Sequence, residues 1–241
     1  MHVLSTSLPT RPAGTRRNLT VDIARTDAGA RRAFQVEIVE PAVILDVLLA
    51  AQRLEPSLAF RYSCRVAMCG TCAVRVDGRP TLACQTRVPG TDGPLRLEPI
   101  AGLPIVKDLV VDMAPFWAAW RRTEPWFVAR ADKQVVLAEG DPSRVAIERG
   151  LDCIACAACW AGCDLTGTET GFLGPAALNR AMVLTADRRD GRRDERLAVV
   201  SQSGSLERCH YIHGCSAACP KDLDPARAIR QLRRWRLRGR V

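Results

Sequence analysis

Residues 63–72 read Ser-Cys-Arg-Val-Ala-Met-Cys-Gly-Thr-Cys, and Cys84 follows after eleven intervening residues. Cys64, Cys69, Cys72 and Cys84 thus have the spacing Cys-x4-Cys-x2-Cys with a distant fourth thiol, that of a plant-type 2Fe–2S site. Such a loop has to wrap two irons while its amides face the sulfides, which favours small residues. Ala67, Gly70 and Thr71 supply them. A tetrahedral zinc site is the rival reading, although zinc thiolates usually come in pairs two to four residues apart.

The flanks of this loop suggest the scaffold that carries it. Leu19, Val21 and Ile23 alternate with polar residues, and so do Phe34, Val36 and Ile38, the pattern of half-buried strands. Thr26-Asp27-Ala28-Gly29 between them offers turn chemistry, so a hairpin is predicted. From Ala42 to Leu54 the period lengthens, and Val43, Ile44, Val47, Leu48 and Ala51 share one helical stripe behind Pro41. A second strand pair, Ala73 to Val76 and Pro80 to Cys84, flanks Asp77-Gly78, and Leu95 to Leu97 is expected to close the sheet. Strand, strand, helix, strand is the order of a β-grasp fold.

No cysteine lies between residues 84 and 153, which points to two domains with a boundary near residues 100–120. We draw them as 1–105 and 106–241. The second domain reads as helical: Ser143 caps a helix stopping at Gly150, and Pro175 suits the first turn of one running to about Ala186. Asp224-Pro225 opens another, to about Leu237. Pro115 argues against one unbroken helix from Leu109 to Trp120. The expected fold class is α+β: an N-terminal β-grasp 2Fe–2S ferredoxin-like domain, then an all-α helical ferredoxin domain.

Composition narrows the function classes. The 241 residues are 47% hydrophobic, ordinary globular content, and carry a net charge of +9. The longest apolar run, Ala42 to Ala51, is interrupted by Asp46 and is far short of the roughly 20 residues that cross a bilayer. Residues 1–18 lack the apolar core of a secretory signal, which fits a reducing compartment. There, eleven cysteines, an odd number, suit metal better than disulfides.

The second and third cysteine groups interlock. Cys153, Cys156, Cys159 and Cys163 follow Cys-x2-Cys-x2-Cys-x3-Cys, and Cys209, Ile212, Cys215, Cys219 and Pro220 repeat that frame with isoleucine in the second position. In two-cluster ferredoxins the fourth cysteine of each run serves the other cluster. Exchange assigns Cys153, Cys156, Cys159 and Cys219 to a 4Fe–4S cluster. Cys163, Cys209 and Cys215 are left one thiolate short, which predicts a 3Fe–4S cluster. The alternative is a 4Fe–4S cluster completed by water, His210 or His213.

Three clusters in this order resemble the iron–sulfur subunit of succinate dehydrogenase and fumarate reductase. SCRVAMCGTC is similar to that family's first-cluster loop and PIAGLPIVKDLVVDM (residues 99–113) to its interdomain segment. CIACAACWAGC (153–163), GFLGPAAL (171–178) and CHYIHGCSAACPKDLDPARAI (209–229) resemble its later motifs. The resemblance implies electron transfer between a FAD-containing flavoprotein subunit and a quinone held beside membrane-anchor subunits. It implies a peripheral place on the cytoplasmic face of the plasma (inner) membrane. It also implies that the dicarboxylate chemistry belongs to the flavoprotein.

One departure bears on the quinone. Family members using ubiquinone typically follow the second motif with proline and tryptophans, whereas Cys163 is followed here by Asp164-Leu165-Thr166-Gly167-Thr168. Ubiquinone and menaquinone both stay open. His210 matches a family position near the quinone and, with Ile212, is a candidate quinone-adjacent residue; a histidine that only hydrogen-bonds near the cluster is the other reading. Trp160 reads as packing. Seven arginines and no acid lie between Pro225 and Val241, either a solvated helix face or one drawn to anionic headgroups or an anchor subunit. No nucleic-acid recognition motif accompanies the basicity. The competing functions are the cluster subunit of another flavin-linked oxidoreductase and a zinc-stabilised basic binding module.

Overall fold

The computed structural model describes residues 14–26, 31–90, 93–130, 136–168, 171–202 and 204–239. β1 (Arg16–Ala24) and β2 (Arg31–Val39) form the expected antiparallel hairpin, with Leu19 opposite Val36 and Val21 opposite Phe34. Asp27, Ala28 and Gly29 of the predicted turn lie outside the described residues. The period of two buries Leu19, Val21, Ile23, Phe34, Val36 and Ile38 on one face. α1 (Ile44–Leu54) covers them with Ile44, Leu45, Val47, Leu48 and Ala51. Val43 is only half-buried, because it caps this helix; its N–H donates to the Asp46 carboxylate at 2.9 Å. Burial of each large aliphatic side chain here contributes about 1.5–3 kcal/mol.

β3 (Ala73–Val76) pairs with β4 (Arg79–Leu82). β4 is shorter than the stretch from Pro80 to Cys84, because the chain turns at Ala83, whose N–H donates to the Cys72 carbonyl at 3.0 Å. β5 (Leu95–Glu98) does more than close the sheet. It is the central strand, parallel to β1 and antiparallel to β3, in the order β2-β1-β5-β3-β4.

The apolar stretch from Leu109 to Trp120 divides as Pro115 requires. A small hairpin, β6 (Ile105–Lys107) and β7 (Val110–Val111), precedes α2 (Ala114–Arg121), which has proline in its first turn. Asp108, at the hairpin turn with φ 50°, is buried, and its carboxylate accepts from the Thr26 N–H, the Thr26 hydroxyl and the Ala59 N–H. Arg25 Nε lies 3.3 Å away, equally buried. α2 sets Phe116 edge-on to Trp160, with ring centroids 5.7 Å apart, and so joins the sheet half to the helical half.

In the helical half, α5 (Pro175–Ala186) is the axle, with every residue buried except Arg180. α3 (Pro142–Ile147) begins two positions earlier than a cap at Ser143 would place it. Its cap is Asp141, whose carboxylate accepts from the Ser143 N–H, while the Ser143 hydroxyl donates to the Ala186 carbonyl. It also stops before Gly150, which lies in a 3-10 turn (Arg149–Asp152). A Cβ at Gly150 would meet Val183 at 2.3 Å, so this glycine permits close packing on α5 and is not a helix terminator. α9 (Pro225–Arg238) is capped by Asp224, which accepts from the Arg227 N–H. α6 (Arg193–Gln202) was not anticipated.

The similarity of the last two cysteine groups extends to the backbone. Ala155 and Tyr211 have φ of 52° and 58°, and Ala157 and His213 share φ 64° and ψ 8°. Each left-handed pair leads into a one-turn helix, α4 (Ala158–Ala161) or α8 (Gly214–Ala217), and the preceding 3-10 turn is matched by α7 (Ser205–Arg208). α4 and α8 cross at glycines: a Cβ on Gly214 would meet the Gly162 carbonyl oxygen at 2.3 Å.

Candidate metal centres

The loop 64–72 turns back on itself through left-handed backbone at Arg65, Ala67 and Gly70 (φ 60°, 56° and 72°). Alternation of this kind aims successive N–H groups inward, a nest for negative charge. The N–H groups of Val66, Met68 and Cys69 donate to Cys64 Sγ at 3.5, 3.3 and 3.3 Å, and that of Ala67 donates to Cys84 Sγ at 3.4 Å. Cys69 is held down to about 6, first by the Thr71 hydroxyl and then by backbone hydrogen bonding. Burial pushes Cys72 up to about 12, with Cys84 and Cys69 beside it adding to the rise. The four thiols predicted for the first site therefore lie together, and the chain supplies donors for thiolate and sulfide charge. That donor set fits a 2Fe–2S cluster.

The remaining seven thiols lie near one another in the helical half. Cys153 and Cys156 are raised by burial and next by mutual proximity to Cys219, Cys156 to about 11. Cys159, wholly enclosed, is raised by burial and by Cys153, Cys156, Cys215 and Cys219. With Cys219 these three line a pocket whose wall is Ile154, Ala157, Ala176 and Leu223. Burial also raises Cys163, which has Cys209 beside it, and lifts Cys215 to about 11, with Cys163 and Cys209 as its neighbours. Deep thiols that resist ionising alone suit a metal that displaces their protons.

Ile212, in the place that corresponds to Cys156, is 76% exposed. His210 and His213 are exposed too, and His213 Nδ1 lies 4.0 Å from the Asp224 carboxylate. Among the described residues, no three His, Cys, Asp or Glu side chains converge tightly enough to hold a single metal ion. A zinc ion would need sulfurs about 2.3 Å from one point.

The three sets are brought close by small residues and one wedge. A Cβ on Gly70 would meet Cys156 Cβ at 2.8 Å, so the first loop lies directly on the second set. Trp160 packs as expected: it is buried, its Nε1–H donates to the Gly102 carbonyl at 3.0 Å, and Gly174 leaves room for its ring. Thr166 ties the turn after Cys163 by donating to the Trp160 and Cys163 carbonyls. Arg180, half-buried beside Cys153, is a positive charge that the cysteine spacing gave no sign of. Arg65 and Thr166 were likewise missed as site-builders, and Ala67 and Thr71 were read only as small residues, without the left-handed turn or the hydrogen bond to Cys69 that they supply.

A two-domain iron–sulfur protein is the class that this fold and these thiols define. Residues 20–118 match the family described as 2Fe-2S iron-sulfur cluster binding domain, and residues 152–224 match the 4Fe-4S dicluster domain. The chain is 34% identical to a fumarate reductase iron-sulfur subunit of Haemophilus influenzae, over 82% of this chain and 83% of that one. It is 36% identical to the mitochondrial succinate dehydrogenase [ubiquinone] iron-sulfur subunit 1 of Oryza sativa subsp. japonica, over 81% and 71%. A chain of the Mycobacterium smegmatis Sdh1 complex in the apo form shares the fold, with a TM-score of 0.82 at 24% identity, covering 91% of this chain and 95% of that one. The protein belongs to the family of succinate dehydrogenase and fumarate reductase iron–sulfur subunits. Among the described residues no helix is long and apolar enough to cross a membrane.

Proposed function

We propose that this chain carries electrons between the FAD of a partner flavoprotein and a quinone in a membrane-bound succinate:quinone oxidoreductase. The observation that supports this best is the gathering of the cysteines into one group on the β-grasp loop and a second, larger group in the helical half. In this reading Cys64, Cys69, Cys72 and Cys84 hold a 2Fe–2S cluster in a domain spanning residues 1–105. Residues 106–241 form the second domain, where Cys153, Cys156, Cys159 and Cys219 hold a 4Fe–4S cluster and Cys163, Cys209 and Cys215 a 3Fe–4S cluster. When bound, the clusters supply one-electron carriers whose potentials depend on cluster type, charge and hydrogen bonds.

The chain's own residues do the rest. The N–H groups on Cys64 and Cys84 spread thiolate charge in the first loop. Burial of Cys159 and Cys215 keeps water away from the second and third sets. Gly70 and the Gly162–Gly214 crossing keep the sets near one another. Ile212 offers no donor at the fourth corner of the third set, and with His210 it is the proposed quinone-adjacent residue. Membrane-anchor subunits would hold the chain as a peripheral subunit on the cytoplasmic face.

Anaerobically purified protein should contain about nine irons per chain, the total for these three cluster types. Reconstituted with its flavoprotein, it should be reduced by succinate. Stoichiometric zinc with little iron, or clusters that succinate cannot reduce, would overturn the proposal.

A further inference from the structure

α9 is docked by one face and charged on the other. Ala226, Ala228, Ile229 and Leu232 bury it against the body, so it cannot roll its apolar side outward. Arg227, Arg230, Arg234 and Arg238 recur at helical spacing on the opposite side, a stripe roughly 16 Å long from the helical rise. The helix contains no acid. Arg236 pairs with Glu207, and Arg227 lies in the field of Asp224. Among the described residues, Arg230, Arg234 and Arg238 have no carboxylate partner. Like charges four residues apart destabilise a helix, and this stripe holds two such pairs that an external anion would relieve.

The surroundings favour an interface between water and lipid. Leu237 is 77% exposed among the arginines. Arg233 lies over the Tyr211 ring, 6.0 Å from its centroid, and exposed Ile212 is the next residue in the chain. Cationic side chains interleaved with isolated exposed aliphatics are the chemistry of helices lying on membrane surfaces.

We infer that the outward stripe of α9 binds the phosphate headgroups of an anionic bilayer directly, independently of any anchor subunit. This goes beyond the electron-transfer reading and fails separately from it, since vesicle partitioning needs no electron flow. The test uses the full, cluster-loaded chain with vesicles of phosphatidylcholine alone, or of phosphatidylcholine containing phosphatidylglycerol. Partitioning should require phosphatidylglycerol and fade with salt as the screening length falls from about 10 Å at 0.1 M to about 3 Å at 1 M. Each basic residue at a charged leaflet is worth about fivefold, so Arg230→Gln, Arg234→Gln and Arg238→Gln together should weaken it about 100-fold, with cluster absorbance unchanged. The triple lysine variant should bind within a few-fold of the parent chain. Equal binding to both vesicles, full binding by the glutamine variant or loss of binding by the lysine variant would overturn the inference. So would a stripe needed only for assembly with an acidic partner protein.

Discussion

In the proposed cluster assignment, Ile212 is the residue on which the third centre turns. Its side chain is exposed where the equivalent Cys156 is drawn into a ring of thiols, and an aliphatic group cannot hold an iron. Ile212→Cys should raise the iron content from about nine to about ten per chain and replace a 3Fe–4S by a 4Fe–4S signature. Electron paramagnetic resonance of the oxidised protein decides: the 3Fe–4S signal should be present in the parent and lost in the variant. Gly70 faces a different demand, left-handed backbone pressed on Cys156. Gly70→Ala should cost about 1–3 kcal/mol in denaturant titrations and slow electron exchange between the first and second centres. Cysteine spacing is visible as letters, so the grouping of the cysteines along the chain was legible in the sequence. The left-handed turns at Arg65 and Ala67 were not, because neither residue advertises positive φ; the closing of the loop imposes it.

At the scale of elements, the α4–α8 crossing sets the distance between the second and third thiol sets. Gly214→Ala would drive a methyl into the Gly162 carbonyl, so the helices must part. Iron should then fall from about nine towards about two per chain, the share held by the separate β-grasp loop, and iron analysis of the purified variant would show it. Unchanged iron would mean that the crossing does not govern loading. The β1–β2 hairpin, α1, α5 and α9 were readable because period and caps agree. β5 was readable as a strand but not as the central one: three alternating residues carry no information about which neighbours they join. α6 escaped notice because Arg-Asp-Glu-Arg-Leu-Ala-Val-Val-Ser-Gln puts its apolar residues together instead of at helical intervals. Ser143 looked like a cap because serine often is one; Asp141, two residues earlier and ahead of Pro142, won by accepting the Ser143 N–H.

Across the whole molecule, Asp108 ties the end of β1, the segment after α1 and the β6–β7 turn together from one buried carboxylate. Asp108→Ala would take away the buried counter-charge of Arg25 and leave the Thr26 and Ala59 N–H groups without their acceptor, and should cost about 3–5 kcal/mol in equilibrium unfolding. Alkaline stability should distinguish the metal-free chain from the loaded one. In the folded metal-free chain burial holds Cys72 near 12 and Cys156 and Cys215 near 11, above the ordinary thiol value of 9.0. The unfolded chain releases those protons first, so stability is intact below about pH 9 and lost as pH rises through 11–12. Cys69, depressed to about 6, acts oppositely and only at lower pH. Iron-bound thiolates carry no proton to lose, so thermal melts of the loaded protein should lack the alkaline decline. The arrangement of thiols also fixes an order of events during synthesis. Cys64 to Cys84 emerge from the ribosome nearly together, whereas Cys153 and Cys156 meet Cys219 only after the chain between them has been made. On the proposed assignment the first centre could be loaded on a growing chain, whereas the second and third would have to wait for its C-terminal part.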